Sequence, residues 1–186
     1  MRRTLLVLLT LGVGLATLSV STNNVQAKAK RLPTVTTYST NDNKVKFNFT
    51  SQVTKSVSAT KTYDLYDGKV TLRLKGLRYY TLKPKYGKKL LVRAYFKATS
   101  NLDGSEDVFE DYDDGDGTYL NTTDGDRLYQ IGTKNGSDTG VVALSGHDAA
   151  NIHVDYMSSH AVPLGNFGSG TIHFVLSEEN HELQFQ

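Results

Sequence analysis

Apolar and polar residues alternate with a period of two along most of the chain, and this alternation constrains the fold more than any other feature of the sequence. A period of two places successive side chains on opposite faces of a β-strand, whereas a helix needs a period near 3.6. Candidate strands with this pattern lie in residues 45–49, 70–74, 90–96, 128–131, 141–144, 152–156, 172–176 and 183–185. The pattern therefore predicts an all-β chain.

The alternation also predicts the core, because side chains that share parity within a strand face the same side. The predicted core residues are Val45, Phe47, Phe49, Val70, Leu72, Leu74, Leu90, Val92, Ala94, Phe96, Ile172, Phe174 and Leu176. Turn-forming pairs such as Asp67-Gly68 and Asn135-Gly136 separate the strands. About eight short strands with frequent turns are typical of a two-sheet sandwich or of a closed antiparallel sheet.

Three stretches of the chain resemble a known family. Residues 70–101 contain a strand, a Gly-Lys-Lys turn and a long alternating strand that ends in Thr-Ser-Asn. This arrangement resembles the immunoglobulin-like domains of unknown function that Gram-positive bacteria secrete or anchor to lipid. Residues 128–132 and 170–185 look like later strands of the same domain, so the resemblance covers about residues 44–186. It implies an immunoglobulin-like antiparallel β-sandwich and no established activity.

The first 27 residues have the pattern of a secretory signal peptide. Arg2 and Arg3 precede an apolar run over residues 4–20, and Val25-Gln26-Ala27 is a small-x-small cleavage pattern. The run is short for a membrane span, which needs about 20 residues, although an uncleaved anchor is an alternative. We expect a signal peptide at 1–27, a polar linker at 28–43 and a β-sandwich domain at 44–186. The cleaved protein would be secreted and extracellular, either released or held non-covalently at the cell wall.

The chain contains no cysteine, which excludes disulfides, thiolate zinc sites, cysteine nucleophiles and a lipid-bearing cysteine. The last absence separates it from the lipid-anchored members of the family that it resembles. An exported protein without cysteine fits a bacterial origin better than a eukaryotic one, because small eukaryotic secreted domains are usually rich in disulfides.

Charge is divided between the two halves of the chain. Residues 28–100 hold 17 Lys and Arg against 3 Asp and Glu, whereas residues 101–186 hold 2 against 16. Two interpretations follow. In the first, basic and acidic strands lie side by side and neutralise one another. In the second, the basic half forms a surface that binds a polyanion.

For the second interpretation, the candidate polyanion-binding residues are Arg73, Lys75, Lys83, Lys85, Lys88, Lys89, Arg93 and Lys97. Tyrosines lie among them, and lysines on long side chains attract phosphate with little selectivity for sequence. Outside a cell, the expected partner is an anionic cell-wall polymer or another surface protein, not a nucleic acid.

The acidic residues between 103 and 126 are candidates for calcium, which binds six to eight oxygens in such loops. The candidate ligands are Asp111, Asp113, Asp114, Asp116, Asp124 and Asp126. Gly115 stands where an EF-hand needs its third ligand, so the pattern is weak. The favoured interpretation is a solvated acidic loop, or one that docks on the lysines of the same domain. No other cofactor is expected.

Neither HExxH nor GxSxG occurs, and Ser145, His147 and Asp148 are too close in sequence to form the usual catalytic triad. No catalytic residue is therefore assigned. The sequence favours an exported, non-enzymatic binding module, with a calcium-stabilised adhesion module as the alternative and a secreted hydrolase as a weaker one. His147 or His153 meeting a carboxylate or a serine in a concave site would favour the hydrolase.

Overall fold

The structure is a computed structural model that describes residues 33–38, 44–109, 117–135, 138–139, 142–163 and 168–186. By its internal contacts the chain divides into Met1–Arg31 and Leu32–Gln186, and every described residue belongs to the second unit. The predicted signal peptide lies outside the described residues. No helix in the described ranges is long and apolar enough to cross a membrane.

Thirteen strands make up the described part of the chain. They are β1 (Thr34–Tyr38), β2 (Lys44–Lys55), β3 (Ala59–Leu65), β4 (Gly68–Leu82), β5 (Lys89–Ser100), β6 (Ser105–Val108), β7 (Tyr119–Thr122), β8 (Arg127–Asn135), β9 (Asp138–Thr139), β10 (Val142–Ser145), β11 (Ala149–Ala161), β12 (Gly170–Leu176) and β13 (Glu179–Phe185). A short 3-10 turn, Pro84–Tyr86, joins β4 to β5. The all-β prediction is confirmed, since strands hold 75% of the described residues and no α-helix occurs among them.

The strands form one antiparallel sheet. Its order is β1-β2-β4-β5-β11-β8-β7-β12-β6-β10, with β3 paired to β4, β9 to β8 and β13 to β12. The long strands β4, β5 and β11 lie next to one another at its centre. Because the pairing forms one continuous open sheet, it gives the antiparallel all-β architecture without establishing an immunoglobulin-like sandwich.

The main core lies on the inner face of the sheet. Ten of the predicted core residues are buried there: Val70, Leu72, Leu74, Leu90, Val92, Ala94, Phe96, Ile172, Phe174 and Leu176. These positions confirm the parity predicted for β4, β5 and β12. Residues of opposite parity on β4 and β5, such as Arg73 and Lys97, therefore face the other side, which we call the outer face.

The prediction for β2 is wrong in part. Val45 is 41% exposed. Phe47 and Phe49 are half-buried, but they pack against a second and smaller cluster instead of the main core. That cluster is built on Tyr80 and Leu91 of the outer face. The β1–β2 hairpin covers this part of the outer face, which is why the aromatic residues of β2 pack there.

Strand β1 lies within the stretch that the sequence analysis assigns to a polar linker. It pairs with β2, from Thr34 opposite Asn48 to Tyr38 opposite Lys44. It also crosses β8, where a Cβ atom on Gly132 would overlap the carbonyl of Tyr38, so only glycine allows this close approach. The folded sheet therefore begins before residue 44, since even a polar strand can pair when a neighbour supplies the hydrogen bonds.

Candidate functional site

The predicted basic residues fall into two groups at opposite ends of β4 and β5. Lys83, Lys85, Lys88 and Lys89 surround the connection between the two strands and are called the basic turn here. Arg73, Lys75 and Lys97 are exposed near the other end and are called the basic face. Lys89 and Lys97 are eight residues apart on β5, which separates the two groups by about 26 Å.

The backbone of the basic turn is fixed by hydrogen bonds. Tyr86 N–H and Gly87 N–H donate to the carbonyls of Lys83 and Pro84, each at 2.9 Å, and Gly87 adopts a left-handed conformation with φ of 72°. Lys83 N–H donates to the carbonyl of Asn48 on β2. The turn therefore holds its lysines in a defined place beside β2.

An aromatic pair supports the same turn. The ring of Tyr86 packs edge-on against Phe47, with ring centres 5.2 Å apart. The ammonium of Lys85 lies 4.7 Å from the centre of the Tyr86 ring, and a hydrogen bond from Lys85 lowers the pKa of the exposed Tyr86 hydroxyl. No described carboxylate lies within 4.0 Å of any of the four lysines, so within the described ranges the charge of the basic turn has no ion-pair partner.

Like charges face each other across β4 and β5. Arg73 lies opposite Lys97, and Arg78 lies opposite Arg93. Among the described residues, the only side-chain ion pair that joins the basic and acidic halves is the one between Arg93 and Asp155. Within the described ranges, neutralisation between paired basic and acidic strands is thus limited to this one pair, which joins the central strands β5 and β11.

Arg93 belongs to neither the basic turn nor the basic face, although the sequence placed it among the candidate binding residues. Its Nε donates to Asp155 Oδ1 at 2.7 Å, and its Nη2 donates to Asp155 Oδ2 at 2.8 Å and to the carbonyl of Thr36 at 2.6 Å. The side chains of Arg93 and Asp155 are only 14% and 1% exposed. Burial alone would lower the pKa of Arg93, but its hydrogen bonds to Asp155 raise it overall. Burial raises the pKa of Asp155 against the lowering effect of Arg93, and the two hydrogen bonds from the guanidinium favour the ionised pair. Arg93 holds β1 against β5 and β11.

The calcium candidates are described only in part. Asp111, Asp113, Asp114 and Asp116 lie outside the described residues. Asp124 and Asp126 belong to the turn between β7 and β8, where Asp126 N–H donates to Thr122 Oγ1 at 3.0 Å. Asp126 also lies 3.4 Å from the ring of His160. No group of three or more metal-ligating side chains occurs in the described ranges, and the calcium site stays a prediction.

The residues named for the hydrolase alternative are not brought together. Ser145 Oγ donates to Asp148 Oδ2 at 2.9 Å within a turn, and His147 is exposed beside it. His153 lies on the outer face of β11, near the rings and cations of neighbouring strands. Neither histidine hydrogen-bonds to a carboxylate or a hydroxyl within the described part of the chain.

His153 makes stability sensitive to mild acid. Burial and then the charges of Arg93 and Lys134 lower its pKa to about 4, while Tyr95 packs 6.2 Å from its ring and Asp155 is engaged by Arg93. The unfolded chain binds this proton at a higher pH than the folded chain does, so stability falls as the pH drops from about 6.5 to about 4. Because the ring is partly exposed, we expect this residue to account for about 1–2 kcal/mol of the loss.

The measurement is urea unfolding of the native protein and of H153Q between pH 7 and pH 4. The variant should lose less stability than the native protein over this range, because its side chain does not titrate. Equal losses in the two proteins would contradict a buried neutral imidazole at this position. Burial also lowers the pKa of His173 and of His181. Both histidines are present in the native protein and in H153Q, so their effect on stability cancels in the comparison.

A second polar cluster, on β7, β12 and β13, was missed by the sequence analysis. The ring of His173 stacks on Tyr119 with centres 4.3 Å apart, and its two nitrogens lie 3.2 Å from Glu182 and from the amide of Asn121. A cavity of about 390 Å³ adjoins it. Both ring nitrogens have partners, and no serine, threonine, cysteine or lysine is among the described residues that line that cavity. Only the strand register brings these distant residues together, so no local pattern could have indicated them.

No family model, curated protein or solved structure matches this chain. The functional assignment therefore rests on the geometry of its own residues.

Proposed function

We propose that this protein is an exported, non-enzymatic binding module of the extracellular space, with an immunoglobulin-like sandwich arrangement. Its ligand is an anionic cell-wall polymer, which binds the basic turn and the basic face. No cofactor takes part. Arg93, in its buried ion pair, holds the fold together and does not contact the polymer.

The observation that carries this proposal is the set of like charges that face each other with no carboxylate beside them in the described part of the chain. Arg73 opposes Lys97, and no described carboxylate lies within 4.0 Å of either residue. Like charges placed directly opposite one another destabilise a sheet. A bound polyanion relieves this repulsion and at the same time gains from the positive potential of the surface.

The spacing of the two basic groups favours a polymer over a small anion. The basic turn and the basic face lie about 26 Å apart along β5. A single phosphate can therefore contact only one of them, whereas a chain of repeated phosphates can extend over both. Binding at two linked points raises the overall affinity without any new type of contact. The lysines act as mobile point charges, so they do not require one defined geometry of the polymer.

The test compares two double variants with the same change in net charge. K85E/K88E reverses the two exposed lysines of the basic turn, and K44E/K69E reverses two exposed lysines elsewhere. Lys69 forms a surface pair with Asp64, whose loss costs about 0–1 kcal/mol. We expect K85E/K88E to weaken binding to isolated cell walls by about tenfold or more at low salt, and K44E/K69E to weaken it far less.

Two further measurements complete this test. Binding of the native protein should weaken steeply as salt rises, because each contact with phosphate releases counterions. Walls stripped of their teichoic acid should retain little protein. Retention that does not depend on salt, retention by stripped walls, or no retention at all by intact walls would each contradict the proposed function.

A further inference from the structure

A cavity of about 330 Å³ lies on the outer face where β2 meets β4. Three cationic side chains line it, namely Lys55, Lys75 and Arg78, together with the ring of Tyr95. No described carboxylate lies within 4.0 Å of these cations. Lys75 was predicted from the sequence as a candidate binding residue, but nothing in the sequence groups it with Lys55, which is on a different strand.

A break in the strand pairing shapes this cavity. The register of β4 against β5 shifts between Leu74 and Gly76, so Lys75 is the extra residue of a bulge. A bulge turns the side chain that it carries away from the regular alternation. At Gly76 a Cβ atom would lie 3.2 Å from the carbonyl of Lys55, so glycine allows β2 to approach closely here. The bulge and the close approach bring the three cations to one place.

Arg78 is short of acceptors. Its Cα partner across the sheet is Arg93, and Arg93 takes both oxygens of Asp155. The guanidinium of Arg78 lies 5.5 Å from the centre of the Tyr95 ring. Burial raises the pKa of the Tyr80 hydroxyl, and a hydrogen bond from Arg78 offsets part of that rise. Its Nε is buried and has no hydrogen-bond partner within the described part of the chain.

A buried donor without an acceptor costs free energy, and an Arg donor does so more than a neutral one. An oxyanion in the cavity would accept from the guanidinium of Arg78, which lines it, and would also be neutralised by the two lysines. Phosphate suits this set of donors, because it offers several acceptor oxygens and a charge that arginine and lysine both recognise.

We propose that this cavity binds one phosphate group of the wall polymer through Arg78, Lys55 and Lys75. This step rests on the proposed function, because it assigns one phosphodiester of the polymer to one place on the basic surface. The ring of Tyr95 holds the guanidinium of Arg78 in position through a cation–π contact. Binding makes and breaks no covalent bond.

The experiment uses the native protein and two probes, inorganic phosphate and poly(glycerol phosphate), in buffers of constant ionic strength balanced with chloride. NMR titration should show that phosphate shifts the amide signals around Gly76 and Arg78. R78Q should bind phosphate at least about tenfold more weakly, as expected when a charged donor is lost from a partly buried contact. K44Q/K69Q, which neutralises two lysines outside the cavity, should bind phosphate as the native protein does.

A second variant guards against a folding defect in R78Q. K55Q/K75Q removes two exposed lysines that line the cavity and leaves Arg78 in place. It should weaken phosphate binding in the same direction as R78Q, while its melting temperature without phosphate stays close to the native value. If phosphate leaves the signals of Gly76 and Arg78 unchanged, or if both variants bind it as tightly as the native protein, the proposed site is wrong.

The polymer probe distinguishes this inference from the proposed function. If K85E/K88E loses the polymer but still binds phosphate at the cavity, both proposals stand. If R78Q and K55Q/K75Q bind the polymer as tightly as the native protein, the polymer does not bind at the cavity. The proposed binding of the polymer to the basic turn and the basic face would still stand. If the cavity binds inorganic phosphate while the native protein binds neither the polymer nor cell walls, the proposed function fails and the cavity remains a site for free phosphate.

Discussion

Replacing Asp155 with alanine is expected to lower the free energy of unfolding by about 3–5 kcal/mol, because it leaves a buried guanidinium without its counter-charge. Asp155 accepts both hydrogen bonds of Arg93, at 2.7 and 2.8 Å, and its own side chain is 1% exposed. The remaining bond of Arg93 reaches the carbonyl of Thr36. Loss of Asp155 therefore also weakens the attachment of β1 to the outer face.

The matched control removes both charges at once. In R93M/D155L no unpaired ion is left in the interior, so this double variant should be considerably more stable than D155A and close to the native protein. Urea unfolding of the three proteins at pH 7 gives the comparison. A loss below about 1 kcal/mol in D155A would mean that the pair is not buried as described.

This ion pair shows what the sequence could not indicate. Arg93 has the same parity on β5 as Lys97, and the sequence analysis grouped both as surface cations. The partner that removes Arg93 from the surface is 62 residues away on β11. Only the antiparallel register between β5 and β11, which places Asp155 opposite Arg93, brings the two together. Sequence alternation gives the face of a residue but not what lies across from it.

The central strands were predictable because burial on one face fixes their parity. Leu72 and Leu74 of β4 and Phe96 of β5 were all predicted to be in the core, and all are buried. Strand β2 carries an equally regular alternation, yet Val45 is exposed. The difference is that β2 lies against a small cluster that reaches only Phe47 and Phe49. An alternating strand therefore indicates a buried face only where another layer extends far enough to cover it.

The division of charge was readable from the sequence, but its arrangement was not. The same counts suit a sheet in which basic and acidic strands alternate and one in which basic strands are neighbours. The sheet order places β4 next to β5, and this adjacency makes Arg73 face Lys97. Strand order depends on the connections and packing of the whole sheet. Hence the sequence alone could not predict which charged residues face one another.

A large effect is expected in the core at Phe96, which is 1% exposed on the inner face of β5. Its ring packs against Phe109 with centres 4.8 Å apart, and Phe109 in turn packs against Phe174 at 5.3 Å. Replacing Phe96 with alanine removes the transfer free energy of the ring and also opens a cavity, because three linked rings cannot all move to fill it.

We expect F96A to lower the free energy of unfolding by about 3–5 kcal/mol in urea unfolding at pH 7. The control is K97A, one residue further along β5 and exposed on the outer face, which should change stability by about 0.5 kcal/mol or less. The losses in free energy of unfolding in F96A and K97A then differ by several kcal/mol because the two neighbouring side chains face opposite sides of the sheet. A loss below about 1 kcal/mol in F96A, or similar losses in the two variants, would place β5 in the wrong register and with it the arginine and lysine positions on which the proposed binding surface depends.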